Sequence, residues 1–444
     1  MVALRPLHGL RYDLARTGPA SALLAPPYDV IDGDGRAALA ARSPDNCVHV
    51  ILPEGDGDAR YARGAAEFRR LEQTAFVRDP SPSVYVLHQR FEALGATHVR
   101  KGLVARIELT RFGEGPVLPH ERTLAGPKLD RLQLMRACEA HVELVFGLFA
   151  DPRCAWEAAV APALGEPVLE AELDGVGHTL YRVDDAAAIA RVAALLADKS
   201  VYMADGHHRY ETMCAFADEL VARGWGDDAR YGLVFLGNLD DPGLVVLPTH
   251  RVVHHVEPER VAAALAELPR WFDVRELPLP GAAEGVRALL AEASAVRPSL
   301  AFAVPGTGQL QLATLRADFD PAVAGLGAIA PALQRLDLVL LHELVLEAGL
   351  GIDKLAQAAK TNLAYLKSTD VALDVARSGV LPEPAGVTAQ LVAFAHPTAV
   401  QDVVAVCDSG EVMPQKSTFF YPKIPTGLVF HDLRPASAAG DRRP

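Results

Sequence analysis

Val201-Tyr202-Met203-Ala204-Asp205-Gly206-His207-His208-Arg209-Tyr210-Glu211-Thr212 sets a short apolar run against an acid, two imidazoles, a guanidinium and a second acid. The apolar run reads as a buried strand and Asp205-Gly206 as the turn. His207 to about Val221 reads as a helix with Tyr210, Met213, Cys214, Ala217, Leu220 and Val221 inward. The polar cluster therefore falls at a helix N-terminus. Free backbone N–H groups and the positive end of the helix dipole gather there and favour an anion, helped by Gly206, Arg209 and a protonated imidazole; phosphate is the natural guest. His207 and Glu211 are four apart, as are His208 and Thr212, so each imidazole has a neighbour able to orient it. The plainer alternative makes Asp205 an N-cap worth about 1 kcal/mol and the rest a solvated first turn. So dense a polar cluster directly after a buried strand is poor local design unless it faces a cleft, which favours the functional reading.

The chain around this stretch has 444 residues, half of them hydrophobic and 22% charged. That is an ordinary globular composition, long enough for two or three domains. A net charge of −13 argues against a protein whose main task is gripping a polyanionic backbone, so nucleic acid is not an expected partner. The five cysteines, Cys47, Cys138, Cys154, Cys214 and Cys407, are widely spaced with no C-x-x-C, which suggests neither a disulfide framework nor a zinc ribbon and fits a reducing cytoplasm. Met1 to Ala15 is interrupted by charge and lacks the apolar core of a signal peptide. The most apolar stretch, Leu336 to Leu350, carries Asp337, His342, Glu343 and Glu347, so no membrane span is expected.

Along the chain the order of elements is mixed rather than strictly alternating, which predicts an α+β fold with mixed sheets. Val84 to Ala93 and His98 to Thr110 flank a Leu94-Gly95-Ala96-Thr97 turn as a β-hairpin, and Ser299 to Val304 with Gln309 to Leu315 form a second. Helices are expected over Arg60 to Gln73, from the Lys128 region to about Ala140, and over Asp185 to Ala197, Glu257 to Glu267, Gly281 to Ser294 and Leu336 to Gly349. The expected division is an anion-binding core over 1–225, a C-terminal α+β part over 226–434 whose tail returns to the cleft, and a loose tail over 435–444.

Two further stretches carry chemistry. Pro119-His120-Glu121-Arg122-Thr123 places an imidazole beside a carboxylate, followed by Lys128, Asp130 and Arg131 within one turn of a helix start. Glu121 is a candidate general base for a hydroxyl nucleophile, and Lys128 and Arg131 are candidate clamps for phosphoryl oxygens; a surface loop with ion pairs of under about 1 kcal/mol each is the plain alternative. Near the C-terminus, Met413-Pro414-Gln415-Lys416-Ser417-Thr418-Phe419-Phe420-Tyr421-Pro422-Lys423 reads as an extended segment. Its aromatics fill a groove while Lys416, Ser417, Thr418 and Lys423 are presented to an anion; a purely structural lock is the alternative. Neither a P-loop nor G-x-G-x-x-G occurs. No pair of histidines has H-E-x-x-H spacing, and His207 and His208 diverge by about 100 degrees on a helix, so a catalytic zinc is the minor reading and magnesium the preferred metal.

Pro26-Pro27-Tyr28-Asp29-Val30-Ile31, Pro119 to Thr123 with Pro127 to Arg131, Asp205 to Thr212 and Met413 to Lys423 together resemble the bacterial family known as domain of unknown function 1015, over nearly the whole chain. That family implies no reaction. Asp205-Gly206-His207-His208-Arg209 is also similar to the phosphate-binding D-G-H-H-R motif of free-serine kinases in the ParB and sulfiredoxin-like superfamily, although here the motif lies some 200 residues in, on a far longer chain. This resemblance implies ATP or ADP with magnesium held at Asp205, phosphates on Gly206, His207, His208 and Arg209, and a carboxylate activating the hydroxyl of serine. Glu121 fills that last role by chemistry, not by a matched position. The expected function is thus small-molecule phosphotransfer from a nucleotide or pyrophosphate to a hydroxyl such as that of free serine. The alternatives are a nucleotide-binding switch or partner module without fast turnover, and a metal-dependent hydrolase.

Overall fold

A computed structural model describes every residue except Leu124, Pro384 and 436–444, and the side chains of Ala125 and Pro127; the tail expected to be loose lies outside the described residues from 436 onward. The fold is α+β and divides into two compact units. The first comprises Met1–Pro119, Thr123–Val245 and Pro422–Pro444, and the second His120–Arg122 and Val246–Tyr421. The division falls after 245 and not after 225, because Tyr231–Asn238 is an interior strand of the first unit's sheet, hydrogen-bonded on both sides.

That sheet has nine strands: β1 (Leu4–Arg5), β2 (Val84–Ala93), β3 (Ala96–Glu108), β4 (Val117–Leu118), β5 (Val145–Phe149), β6 (Pro167–Leu173), β7 (Val176–Val183), β8 (Val201–Asp205) and β9 (Tyr231–Asn238). Their order is β4-β8-β5-β9-β3-β2-β7-β6, with β1 also on β3. Pairing is parallel at β4/β8 and β5/β9 and antiparallel elsewhere. The expected hairpin is β2 and β3. Its two-residue turn, Leu94 and Gly95, has φ of 51° and 80°, the left-handed pair that matches the twist of the strands. It fixes the register that places Gln89 opposite Arg100.

Five helices of the first unit build its cores and its polar clusters: α1 (Gly33–Arg42), α2 (Ala59–Thr74), α3 (Ala125–Cys138), α4 (Ala186–Leu196) and α5 (His207–Ala222). Val84, Val86, Leu103, Ala105, Ile107, Val145, Val201 and Met203 share one core with Ile189 and Val192 of α4 and with Tyr210, Met213 and Leu220 of α5. A second core joins Phe68 and Leu71 of α2 and Leu134 and Cys138 of α3 to Tyr12, Phe76 and Phe430. The start of α5 is covered on more than its apolar face, since His207, Arg209 and Thr212 are buried as well.

The second unit is built on six antiparallel strands: β10 (His250–His254), β11 (Phe272–Pro278), β12 (Ser299–Ala303), β13 (Gln309–Leu315), β14 (Leu363–Leu366) and β15 (Ala389–Ala395). They run in the order β11-β13-β12-β15-β10-β14. The near-continuous apolar runs of the central strands β12 and β15 are explained by burial on both faces. Leu300, Phe302, Ala313 and Leu391 face α6 (Pro258–Ala266) and the segment from Leu338 to Leu346. Ala301, Ala303, Leu312 and Val392 face α7 (Ala283–Ser294) and α8 (Thr369–Ser378). The helix expected over Leu336 to Gly349 is α-helical only at Asp337–Leu340 and π-helical over Leu341–Gly349. The wider turn carries His342, whose Nδ1 lies 2.7 Å from Gln357 Oε1 and whose Nε2 accepts from Arg251 Nε at 3.2 Å. None of the five cysteines forms a disulfide, and among the described residues no helix is long and apolar enough to cross a membrane.

Candidate functional site: a buried cation cluster at the start of a helix

Strand β8 delivers Asp205 at its C-terminal end, and the chain turns into α5 through Gly206, whose φ of 85° is the left-handed conformation that only glycine adopts freely. No side chain caps this helix start. The expectation that Asp205 caps it is therefore corrected, because its carboxylate is drawn to two cations instead. Arg209 Nη2 donates to Oδ2 at 2.7 Å and Lys423 Nζ donates to Oδ1. Burial alone would raise the Asp205 carboxyl, but Lys423 and then Arg209 outweigh it and hold the group well below its usual range.

Arg209 is 3% exposed and also donates to the carbonyl of Leu144, so it is a buried tie between β8, α5 and the segment before β5 and not part of a solvated first turn. Burial pulls its pKa down, and Glu143 followed by Asp205 more than restore it. Lys423 is fixed by its own backbone, whose carbonyl accepts from Gln89 Nε2 at 3.2 Å, while the carbonyl of Pro422 accepts from Arg100 Nη2 at 2.5 Å. Arg100 is fully buried. Its guanidinium donates to Gln89 Oε1 and lies 4.7 Å from the ring centre of Phe146, and burial lowers its pKa to about 9 against the opposing fields of Asp241 and Asp205. Gln89 Nε2 is also 3.3 Å from His178 Nδ1; burial, then Arg100, lowers that imidazole to about 4 and keeps it neutral. Arg209 and Lys423 thus share the Asp205 carboxylate, and Arg100 feels its field from β3 while Glu143 and Asp241 add acidic charge around the cluster.

The other nominated residues have separate engagements. His207 is buried and packs near Phe112, with ring centres 6.3 Å apart. Thr212 Oγ1 donates to the backbone carbonyl of His208 at 2.7 Å, the local i to i−4 bond open to a helical threonine. Lys128 Nζ is 3.4 Å from Glu211. Arg131 does not stand free for a phosphate: it donates to Asp130 Oδ2 at 2.5 and 2.8 Å, to Ile51 O at 2.9 Å and to Glu143 Oε2 at 3.2 Å.

Glu121, Lys416, Ser417 and Thr418 belong to the second unit and are grouped there. Met413 N donates to His120 O at 2.8 Å, Ser417 N donates to Glu121 Oε1 at 3.3 Å, and His120 Nε2 is 2.7 Å from Thr418 Oγ1. Ser417 is 2% exposed and its hydroxyl donates to Pro414 O at 2.6 Å, so it closes the loop and is not presented to an anion. Lys416 is exposed, with φ of 59°, and its carbonyl accepts from Arg251 Nη2 at 3.1 Å.

Magnesium held by Asp205 does not fit, since both carboxylate oxygens are already paired with cations. Among the described residues no group of three or more His, Cys, Asp or Glu side chains is placed to hold a metal ion.

Sequence reasoning passed over Arg100, Gln89 and Glu143. A signal existed for the first two, because counting outward from the Leu94-Gly95 turn sets Gln89 opposite Arg100. The tight turn at Gly206 is open to a direct test. A Cβ there would lie 3.1 Å from the guanidinium carbon of Arg209, so Gly206→Ala should cost about 1–2 kcal/mol for the left-handed backbone alone and push Arg209 off Asp205. Urea denaturation checks it, and an unchanged midpoint would contradict the tight turn.

Solved structures offer distant likenesses. A free serine kinase in complex with AMP aligns over 70% of this chain and 89% of its own at 12% identity, TM-score 0.34. A conserved hypothetical protein from Pyrococcus furiosus aligns over 70% and 90% at 13% identity, TM-score 0.32, and SbnI with a C-terminal truncation from Staphylococcus aureus over 74% and 88% at 11% identity, TM-score 0.31. No curated protein matches the sequence. The profile of the family described as Protein of unknown function (DUF1015) matches residues 4–339, and the chain belongs to that family.

Proposed function

We propose that this protein is a small-molecule phosphotransferase that binds the phosphates of a nucleotide, ATP or ADP, at the start of α5 and passes a phosphoryl group to a hydroxyl acceptor. The observation that carries this reading is the buried pairing of Arg209 and Lys423 on the carboxylate of Asp205 at an uncapped helix N-terminus, with Arg100 donating to the carbonyl of Pro422 next to Lys423. Fixed donors and a helix dipole in a water-poor site suit a polyanion whose charge shifts during transfer. In the reaction the acceptor oxygen forms a bond to phosphorus as the bond to the donor's bridging oxygen breaks. The donor leaves with that electron pair, and the hydroxyl proton passes to a carboxylate base. Asp205 orients Lys423 and Arg209 and is a positioning residue.

The decisive measurement is calorimetry of ADP and ATP at fixed salt on wild type and Lys423→Gln. A charge-assisted hydrogen bond to an anion is worth about 1.5–3 kcal/mol, so the variant should bind roughly ten- to a hundredfold more weakly. Equal affinity in the two proteins would remove the phosphate site from this helix. Nucleotide bound normally but never consumed with any hydroxylated metabolite would favour a switch or partner module over an enzyme.

A further inference from the structure

The edge strands of the two large sheets are treated differently. In the first unit β6 is bulged against β7 and covered from outside, where Glu172 N donates to Ser21 Oγ at 3.0 Å. In the second unit β11 is an edge strand of seven residues that pairs with β13 without a shift of register. Its bonding pattern is fixed at both ends. Trp271 O accepts from Arg316 N at 3.0 Å and Leu279 N donates to Gly308 O at 2.9 Å, so the odd-numbered residues exchange bonds with β13. The backbone N–H and C=O groups of Phe272, Val274 and Glu276 therefore point out of the sheet, and among the described residues nothing bonds to them. A straight edge of this kind is a template for another strand unless a bulge, a covering element or repelling charge blocks it.

The side chains decide whether a second copy of the same strand fits. Asp273, Arg275 and Glu276 are exposed, and Val274 is half-buried against the core that holds Leu300, Phe302 and Ala313. In an antiparallel pair the residues that exchange bonds lie directly opposite one another, so even-numbered residues of one copy must face even-numbered residues of the other. Two-fold symmetry then centres the pair on a single residue. A pair centred on Asp273, Arg275 or Glu276 sets that residue against its own charge, and the last also places Pro278, which has no N–H, opposite Val274. A pair centred on Val274 does neither. Asp273 of each copy then lies opposite Arg275 of the other, Phe272 exchanges bonds with Glu276, and Val274 meets Val274 as an extension of the apolar core. Centres nearer the strand ends shorten the overlap.

We propose that two copies of this chain associate edge to edge through β11, antiparallel and centred on Val274, so that the six-stranded sheet of the second unit continues across the two-fold axis. Charge complementarity selects the occupant and the register together. Asp273 is already steadied by Arg297 at 3.1 Å, which holds its carboxylate at the edge. The contact is one strand wide, so the dimer is weak and reversible.

The test is sedimentation equilibrium of the full chain between about 5 and about 500 µM, where a monomer and dimer in exchange are expected. Asp273→Arg and Arg275→Asp each bring like charges face to face and should weaken association about tenfold or more, whereas an equimolar mixture of the two variants restores both opposite pairs and should associate as wild type does. Circular dichroism verifies that each variant is folded. The register is read by single cysteines in Asp273→Cys, Val274→Cys, Arg275→Cys and Glu276→Cys under mild oxidation. Only Val274→Cys should form a disulfide-linked dimer, since a bonded pair sets its two Cα atoms about 5.5 Å apart, and wild type with its own five cysteines should form none. A monomer throughout the range, a mixture that associates no better than either variant alone, or a cross-link through another of the four positions would each overturn the proposal.

Discussion

Below about pH 6.5 the first unit should lose stability steeply as pH falls. His141 is lowered to about 3 and His178 to about 4, in both cases by burial and then by a neighbouring arginine, and His431 is lowered further for the same reasons. All three are neutral when folded, whereas in the unfolded chain they titrate near 6.5. Below that value the unfolded state takes up protons that the folded state refuses, so their stabilisation is complete above about pH 6.5 and is lost as pH falls. Each contributes about 1.4 kcal/mol per pH unit well below 6.5, and the three together about 4. In the second unit His250 and His342, both near 3, act with the same sign. Asp337 acts with the opposite one, because burial raises it to about 7 and the folded state keeps a proton that the unfolded chain gives up above about 4. His254 and His396 are lowered as well, both chiefly by burial, so the second unit also loses stability as pH falls, with Asp337 offsetting part of the loss. Trp156 and Trp225 report on the first unit and Trp271 on the second, so urea titrations of Trp271→Phe and of the double Trp156→Phe, Trp225→Phe variant separate the two. A first unit whose stability is unchanged between about pH 7 and about pH 5 would mean that its histidines are not buried as neutral groups.

Arg209→Ala should destabilise the first unit by about 3–5 kcal/mol, the usual consequence of removing one partner from a buried ion pair. The guanidinium is 3% exposed and serves both Asp205 and the carbonyl of Leu144, so its loss strands an acceptor and removes one of the two cations on a buried carboxylate. From the sequence little change in stability is expected, since Arg209 is read there as a contributor chiefly to ligand affinity. Adding Asp205→Asn to Arg209→Ala should recover part of the loss, because the amide needs no counter-charge. Chemical denaturation of the two single variants and the double variant measures the coupling. Additive effects, or an Arg209→Ala midpoint within error of wild type, would show that the pair does not hold the helix start.

The period of apolar residues made much of this molecule legible. The α+β class, the β2/β3 hairpin with its turn at Leu94-Gly95, the strand ending at Asp205 and the helix beginning at His207 all come from local alternation, turn residues and a 3.6-residue repeat, which act within a few residues of one another. The boundary near 245 does not, because it depends on where Tyr231–Asn238 pairs. That pairing is a long-range choice between strands of similar apolar character. The π-helical path of Leu341–Gly349 is equally hidden, since an apolar spacing near 3.6 is compatible with either winding until Arg251 and Gln357 are placed around His342.

At the site the division is sharper. The sequence by itself determined that an acid, two imidazoles and an arginine meet at a strand-to-helix turn through a glycine, because covalent neighbours cannot separate. Only the tertiary structure decided what those groups do. Lys423, 218 residues from Asp205, and Arg209 claim the two oxygens that a cap or a metal would need. Arg100 comes in from a hairpin, and Arg131 is spent on Asp130 and Glu143. The reason is electrostatic: a charge buried with this helix must find its counter-charge inside the protein, and which one it finds depends on the folded path of the chain and not on spacing along it.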